Sequence, residues 1–179
     1  MAERSGTPTW IIVLFVVVGL VVLMVGALGI LAWTGMRKYM SASKQAEAVS
    51  TVNEIARDGV AAYSRETLAT LAPAHKLCDS ASSPVPMSIT AVTGKKYSST
   101  PAEWRADEGM DKGFACLKFE MSLPQYYQYD YKLDSPVSFT AIAHGDLDAD
   151  GVLSEFTQHG TVRASDVELD PLVRKNPEE

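Results

Sequence analysis

The sequence predicts an α+β protein, with one long N-terminal helix packed on a four-stranded antiparallel sheet. Three observations carry this. Residues 10–33 run without a charge or a proline, apolar residues then recur at spacings of three and four to about residue 71, and beyond residue 114 the apolar period changes to two.

The apolar run comes first. Trp10 to Trp33 is 24 residues, and at about 1.5 Å per residue it spans roughly 36 Å, more than the ~30 Å of a bilayer's hydrocarbon layer. A secretory signal peptide has a shorter apolar stretch that ends in small residues, and Ala32-Trp33-Thr34 is a poor cleavage site. Residues 7–35 therefore read as a transmembrane helix with a tryptophan at each interface.

No turn signal follows. Ala42, Ala46, Val49, Val52, Ala56, Val60 and Tyr63 recur on a helical period, with Lys44, Glu47, Glu54 and Arg57 between them. Residues 36–72 thus continue the same helix as an amphipathic half, which Pro73 ends. Its narrow stripe needs a cover, and the rest of the chain is there to supply one.

Residues 73–113 are rich in Ser, Pro, Gly and charge without a sustained period, which predicts a connecting loop with one helical turn at "PAEW". Residues 114–165 predict the sheet. "ACLKFEM" alternates Ala115, Leu117, Phe119 and Met121 against Cys116, Lys118 and Glu120. "YYQYDY" sets Tyr127, Tyr129 and Tyr131 on one face, "VSFTAIAH" alternates from Val137, and a fourth strand lies in "LSEFTQHGTV". Short links make the strands antiparallel, with one face left to lie on the helical stripe. Residues 166–179 predict a flexible tail.

Charge divides unevenly. Residues 78–179 hold nine Lys/Arg against seventeen Asp/Glu, an acidic balance that argues against nucleic acid as a partner. Cys78 and Cys116 match no metal-ligand spacing. A bridge between them closes a loop of about forty residues, worth roughly 3 to 4 kcal/mol in the chain-entropy account, and places the distal part in an oxidising compartment. Arg37, Lys38 and Lys44 after the apolar run argue the opposite orientation by positive-inside counting.

Chemistry is sparse. "DLDADG" puts Asp146, Asp148 and Asp150 at positions 1, 3 and 5 of an oxygen-ligand loop and Gly151 at position 6. Val152 would offer its carbonyl and Ser154 its hydroxyl or a water, which makes the front half of a calcium site. Position 12 is Thr157 rather than glutamate, so a further carboxylate has to come from Glu155 or from a distant residue. The same residues also build a plain hairpin turn. His75, His144 and His159 are scattered, and no nucleophile, phosphate-loop or paired-acid arrangement accompanies them, so the chain does not read as an enzyme.

The segment "GMRKYMSASKQAEAVSTVNEIARDGVAAYSRE", with the later "CLKFEMSLPQYYQYDY" and "FTAIAHGDLDADGVLSEFTQHGTV", resembles the type IV pilins and pseudopilins, and among them the pilin-like proteins of myxobacteria and their relatives. The resemblance implies a subunit of a type IV pilus or of a secretion pseudopilus. In such a filament, apolar helix halves bundle with copies of the same chain or with other pilin-like subunits. It also implies insertion in a bacterial inner membrane with the head in the periplasm or on an extracellular filament, handling by an assembly machinery, and a leader of residues 1–6 cut by a prepilin peptidase after Gly6. Cationic residues after the apolar span are common in that family, which resolves the conflict of orientation. The chain departs from the pattern in one respect. Thr7 follows Gly6, and the fifth position beyond the cut is Ile11, where pilins carry a glutamate. A single-pass module that presents a calcium-stabilised head without polymerising is the alternative.

Overall fold

The computed structural model describes residues 9–65 and 75–177. Pro73 and the leader ending at Gly6 lie outside them, and among the described residues the helix ends at Ser64, with Arg65 already in a bend, short of the predicted end near residue 71. Helix α1 (Thr9–Ser64) is followed by a 3-10 turn at Ile89–Ala91 and two short helices, α2 (Pro101–Trp104) and α3 (Gly113–Leu117). Strands β1 (Gln128–Ser135), β2 (Ser138–Gly145), β3 (Ser154–Arg163), β4 (Asp166–Leu169) and β5 (Val173–Lys175) come next. The chain divides into two compact units between Met40 and Ser41.

In the first unit, Val13–Ala32 is long and apolar enough to cross a membrane and is exposed among the described residues. The second unit holds residues 41–64 of α1. There Ala48, Val52, Ile55 and Ala56 are fully buried, followed by Ala62, whereas Ala42 and Ala46 are exposed. The buried stripe is therefore rotated from the one that spacing alone predicts, and Val49, Val60 and Tyr63 lie on its margin. Gly59 lies on this buried face, where a Cβ would come within 2.7 Å of the Phe139 ring, so the close approach of helix and sheet there depends on the missing side chain. Gly160, paired with Phe139 in register on β3, leaves the ring the same room from the other strand, since its Cβ would meet the ring at 2.4 Å.

The sheet is antiparallel in the order β1-β2-β3-β4, with β5 also paired to β3. Tyr127, Tyr129 and Tyr131 are all fully buried: the tyrosine row is sheet core. Two predicted elements differ. "ACLKFEM" is no strand: its first half is α3, which Lys118 ends in the left-handed region at φ 64°. Phe114 and Leu117 are three apart on a helical face, and the rings of Phe114 and Phe119 close on Trp104 at 4.8 and 5.3 Å. A short apolar run fits either period, and here the aromatic cluster decides. The predicted flexible tail carries β4 and β5. The ten residues of β3 would otherwise present a long open edge, and β4 covers Gly160–Arg163 while β5 covers Glu155–Thr157.

The connecting segment covers the opposite edge. Val85 and Tyr129 exchange both backbone hydrogen bonds, at 2.9 and 2.8 Å, and Ala81 N–H donates to the Tyr131 carbonyl. At "PAEW", Thr100 and Glu103 form a reciprocal capping box around Pro101, and Trp104 is buried with its indole N–H on Ser99 Oγ at 2.8 Å. Cys78 and Cys116 are joined in a disulfide that closes a separation of 38 residues and pins α3 to the start of this segment.

Candidate metal centre

The β2–β3 hairpin is zipped up to the pair Gly145 and Ser154, and the acidic loop lies beyond that pair. Ala149 and Gly151 have φ of 64° and 91°. These two left-handed bends curl the chain so that alternate side chains converge. One carboxylate oxygen from each of Asp146, Asp148 and Asp150 lies within 4.8 Å of the others. Oxygens bound to one calcium ion lie at most about 5 Å apart, twice the usual ligand distance, so the three fit a common ion.

Asp146 sets the character of the group. It is 3% exposed, whereas Asp148 and Asp150 face solvent. Its Oδ2 accepts the Gly151 N–H at 3.3 Å, and its Oδ1 is buried without a hydrogen-bond partner among the described residues. A buried carboxylate oxygen without a donor is costly, and a cation shared with two further carboxylates removes that cost. Asp148 Oδ1 accepts the Asp150 N–H at 3.3 Å and Asp150 Oδ1 the Val152 N–H at 2.7 Å, which braces the loop from within.

The other predicted ligands are not gathered with these three. The Ser154 hydroxyl is fully buried and donates to the Gly145 carbonyl at 3.0 Å, because the last ladder pair turns it into the sheet. The Glu155 carboxylate, one residue on, points to the other face, 3.6 Å from His144 Nε2. Val152 stays in the loop, exposed. The remaining histidines also have partners. His75 Nδ1 lies 3.0 Å from the Tyr63 carbonyl, and His159 Nδ1 lies 2.7 Å from Thr140 Oγ1. That hydroxyl donates to Asp134 Oδ2 at 2.6 Å, so His159 is not placed to take its proton as a base.

Two neighbours of the site were not legible in the sequence. Gly94, 52 positions before Asp146, donates its N–H to the Asp146 carbonyl at 2.8 Å. Near the same segment, Glu47 of α1 is partly buried and accepts the Tyr126 N–H at 2.7 Å and the Tyr129 hydroxyl at 3.3 Å. Burial pushes the Glu47 carboxyl above its ordinary range, against the pull of these hydrogen bonds and of Lys96. Lys44 and Lys96 each set an ammonium 4.7 Å from the centre of the Tyr126 ring.

No protein-family model, curated protein or solved structure matches the chain.

Proposed function

We propose that this chain is a structural, pilin-like subunit: a bacterial inner-membrane protein whose head lies outside the cytoplasm and whose apolar helix half joins neighbouring copies or other pilin-like subunits. One observation carries the reading. A single helix of 56 residues has a first half that is exposed among the described residues and a second half that forms the floor of a sheet's core. The first half calls for an apolar environment from elsewhere, either lipid or other helices, and the second half fixes a folded head to it. The Cys78–Cys116 disulfide supports an oxidising location for that head. Under this reading the acidic loop takes one calcium ion through Asp146, Asp148 and Asp150, with waters completing its shell.

The test is the mature mass of the protein from cells that make filaments, together with imaging of those filaments with and without this chain. Loss of residues 1–6 and filaments that need the chain are expected. An intact Met1 and unchanged filaments favour the second reading, a permanently anchored module that does not polymerise. What favours that reading is Ile11 in the place of the pilins' glutamate.

The cation has its own test. Asp148→Ala should lower the thermal midpoint of the head clearly more in calcium than in chelator, where it removes only the weak Asp150 N–H bond and relieves like-charge repulsion. The difference corresponds to about 2.7 kcal/mol when calcium is at a hundredfold excess over Kd. An equal loss in both conditions rejects a bound ion.

A further inference from the structure

We propose that the acidic loop and the contact of the sheet with α1 at Glu47 are one coupled unit, so that a divalent cation held by Asp146, Asp148 and Asp150 tightens the grip of the head on its helix. This rests on the cation reading given above.

The connection is a short run of backbone. Asp146 has two roles: its carboxylate belongs to the cation group, and its carbonyl accepts the Gly94 N–H at 2.8 Å. Gly94 is at φ +64°, and a Cβ on it would sit 3.3 Å from Ala149 Cβ, so the 93–95 segment rests directly on the loop. Three residues on, Tyr97 and Gln125 exchange both backbone hydrogen bonds at 2.8 Å. Between them and the loop, Lys96 reaches the Tyr126 ring. The next bond belongs to the helix, the Tyr126 N–H on Glu47 Oε1 at 2.7 Å.

The physical link is local order. Without a cation, three like charges within 4.8 Å push apart and the loop carries the Asp146 carbonyl with it. With a cation, the same residue is held at its carboxylate, its carbonyl is fixed for Gly94, and the segment 93–97 becomes a firm second wall. Lys96 then stays over Tyr126 and near the partly buried Glu47 carboxylate, whose charge it favours. Both sites bias one element, the 93–97 segment, as an energetic coupling requires.

Amide hydrogen exchange on the full chain in lipid nanodiscs, with calcium binding titrated on the same sample, tests this. Saturating calcium is expected to slow exchange at Gly94, Tyr97, Gln125 and Tyr126 about tenfold more than at Val162 and Asp170, whose N–H groups bond to Val137 and His159 far from the loop. Lys96→Ala should keep the extra slowing at Gly94 and lose it at Tyr126. Calcium that binds and slows all six amides alike, or slows none of the first four, overturns the coupling and leaves the site standing. Tyr126 that stays protected in Lys96→Ala overturns the relay through that lysine. A titration without calcium binding overturns the cation reading itself, and the coupling with it.

Discussion

The two halves of α1 follow different rules although they are one helix. From Val13 to Ala32 every residue is exposed and the helix is apolar all round. From Ala48 to Ala62 apolar groups fill one stripe, and Ser50, Glu54, Arg57 and Ala61 face outward at the same helical spacing. A helix apolar all round has no preferred face and needs apolar surroundings on every side. A striped helix needs a single partner, and the sheet of the same chain is that partner. The comparison teaches where the folding of this chain ends and its dependence on its surroundings begins.

The largest expected effect breaks the striped half alone. Phe139→Ala removes the ring that fills the gap between Gly59 and Gly160 and should cost about 3 to 5 kcal/mol of head stability. Denaturant unfolding of the full chain in nanodiscs measures it, and on the proposed membrane reading integration stays as in the wild type. Release of the chain from the membrane would show that the halves are not independent.

On the proposed membrane reading, the reciprocal change, Leu23→Arg, places a charge in the middle of the exposed apolar half and should raise the cost of insertion by about 3 kcal/mol. Alkaline extraction of membranes reads the loss. A head that also melts earlier in the fraction still inserted would refute the separation from the other side.

The smallest effect sharpens the contact of helix and sheet. Because burial raises the Glu47 carboxyl above its usual 4.5, the folded head holds that proton more tightly than the unfolded chain. Relative to Glu47→Gln, the wild type should therefore gain stability as pH falls through the raised value towards 4.5, and lose that gain as pH rises again. Thermal melts of both proteins at neutral and mildly acidic pH decide it. A difference between them that does not change with pH would mean that the helix contact leaves this carboxyl in its ordinary range.

Periodicity made much of the fold legible. The strands at "VSFTAIAH" and "LSEFTQHGTV" lie within one residue of β2 and β3, whereas β1 starts two residues into "YYQYDY" and runs four residues past it. β1 and β3 bury alternate residues and so show a period of two, while β2 is buried on both faces from Phe139 to Ala143 and is legible as an apolar, β-branched run. α3 was misread, since five residues are too few to separate a helical period from an alternating one. The tail was misread because β4 and β5 have little apolar content of their own and are strands only beside β3, where four and three residues find hydrogen-bond partners.

The candidate site divides in the same way. The sequence by itself determined the uncovered apolar helix, the residues that build the hairpins and the presence of three carboxylates in a five-residue loop, because each of these depends on neighbours along the chain. Only the tertiary structure decided that the Asp146 carboxylate is buried with an oxygen left without a donor, that Ser154 and Glu155 face elsewhere, and that Gly94 and Glu47 belong to the same neighbourhood. The physical reason is that burial and hydrogen-bond partnership come from residues tens of positions away, and those contacts leave no period or spacing in the sequence that forms them.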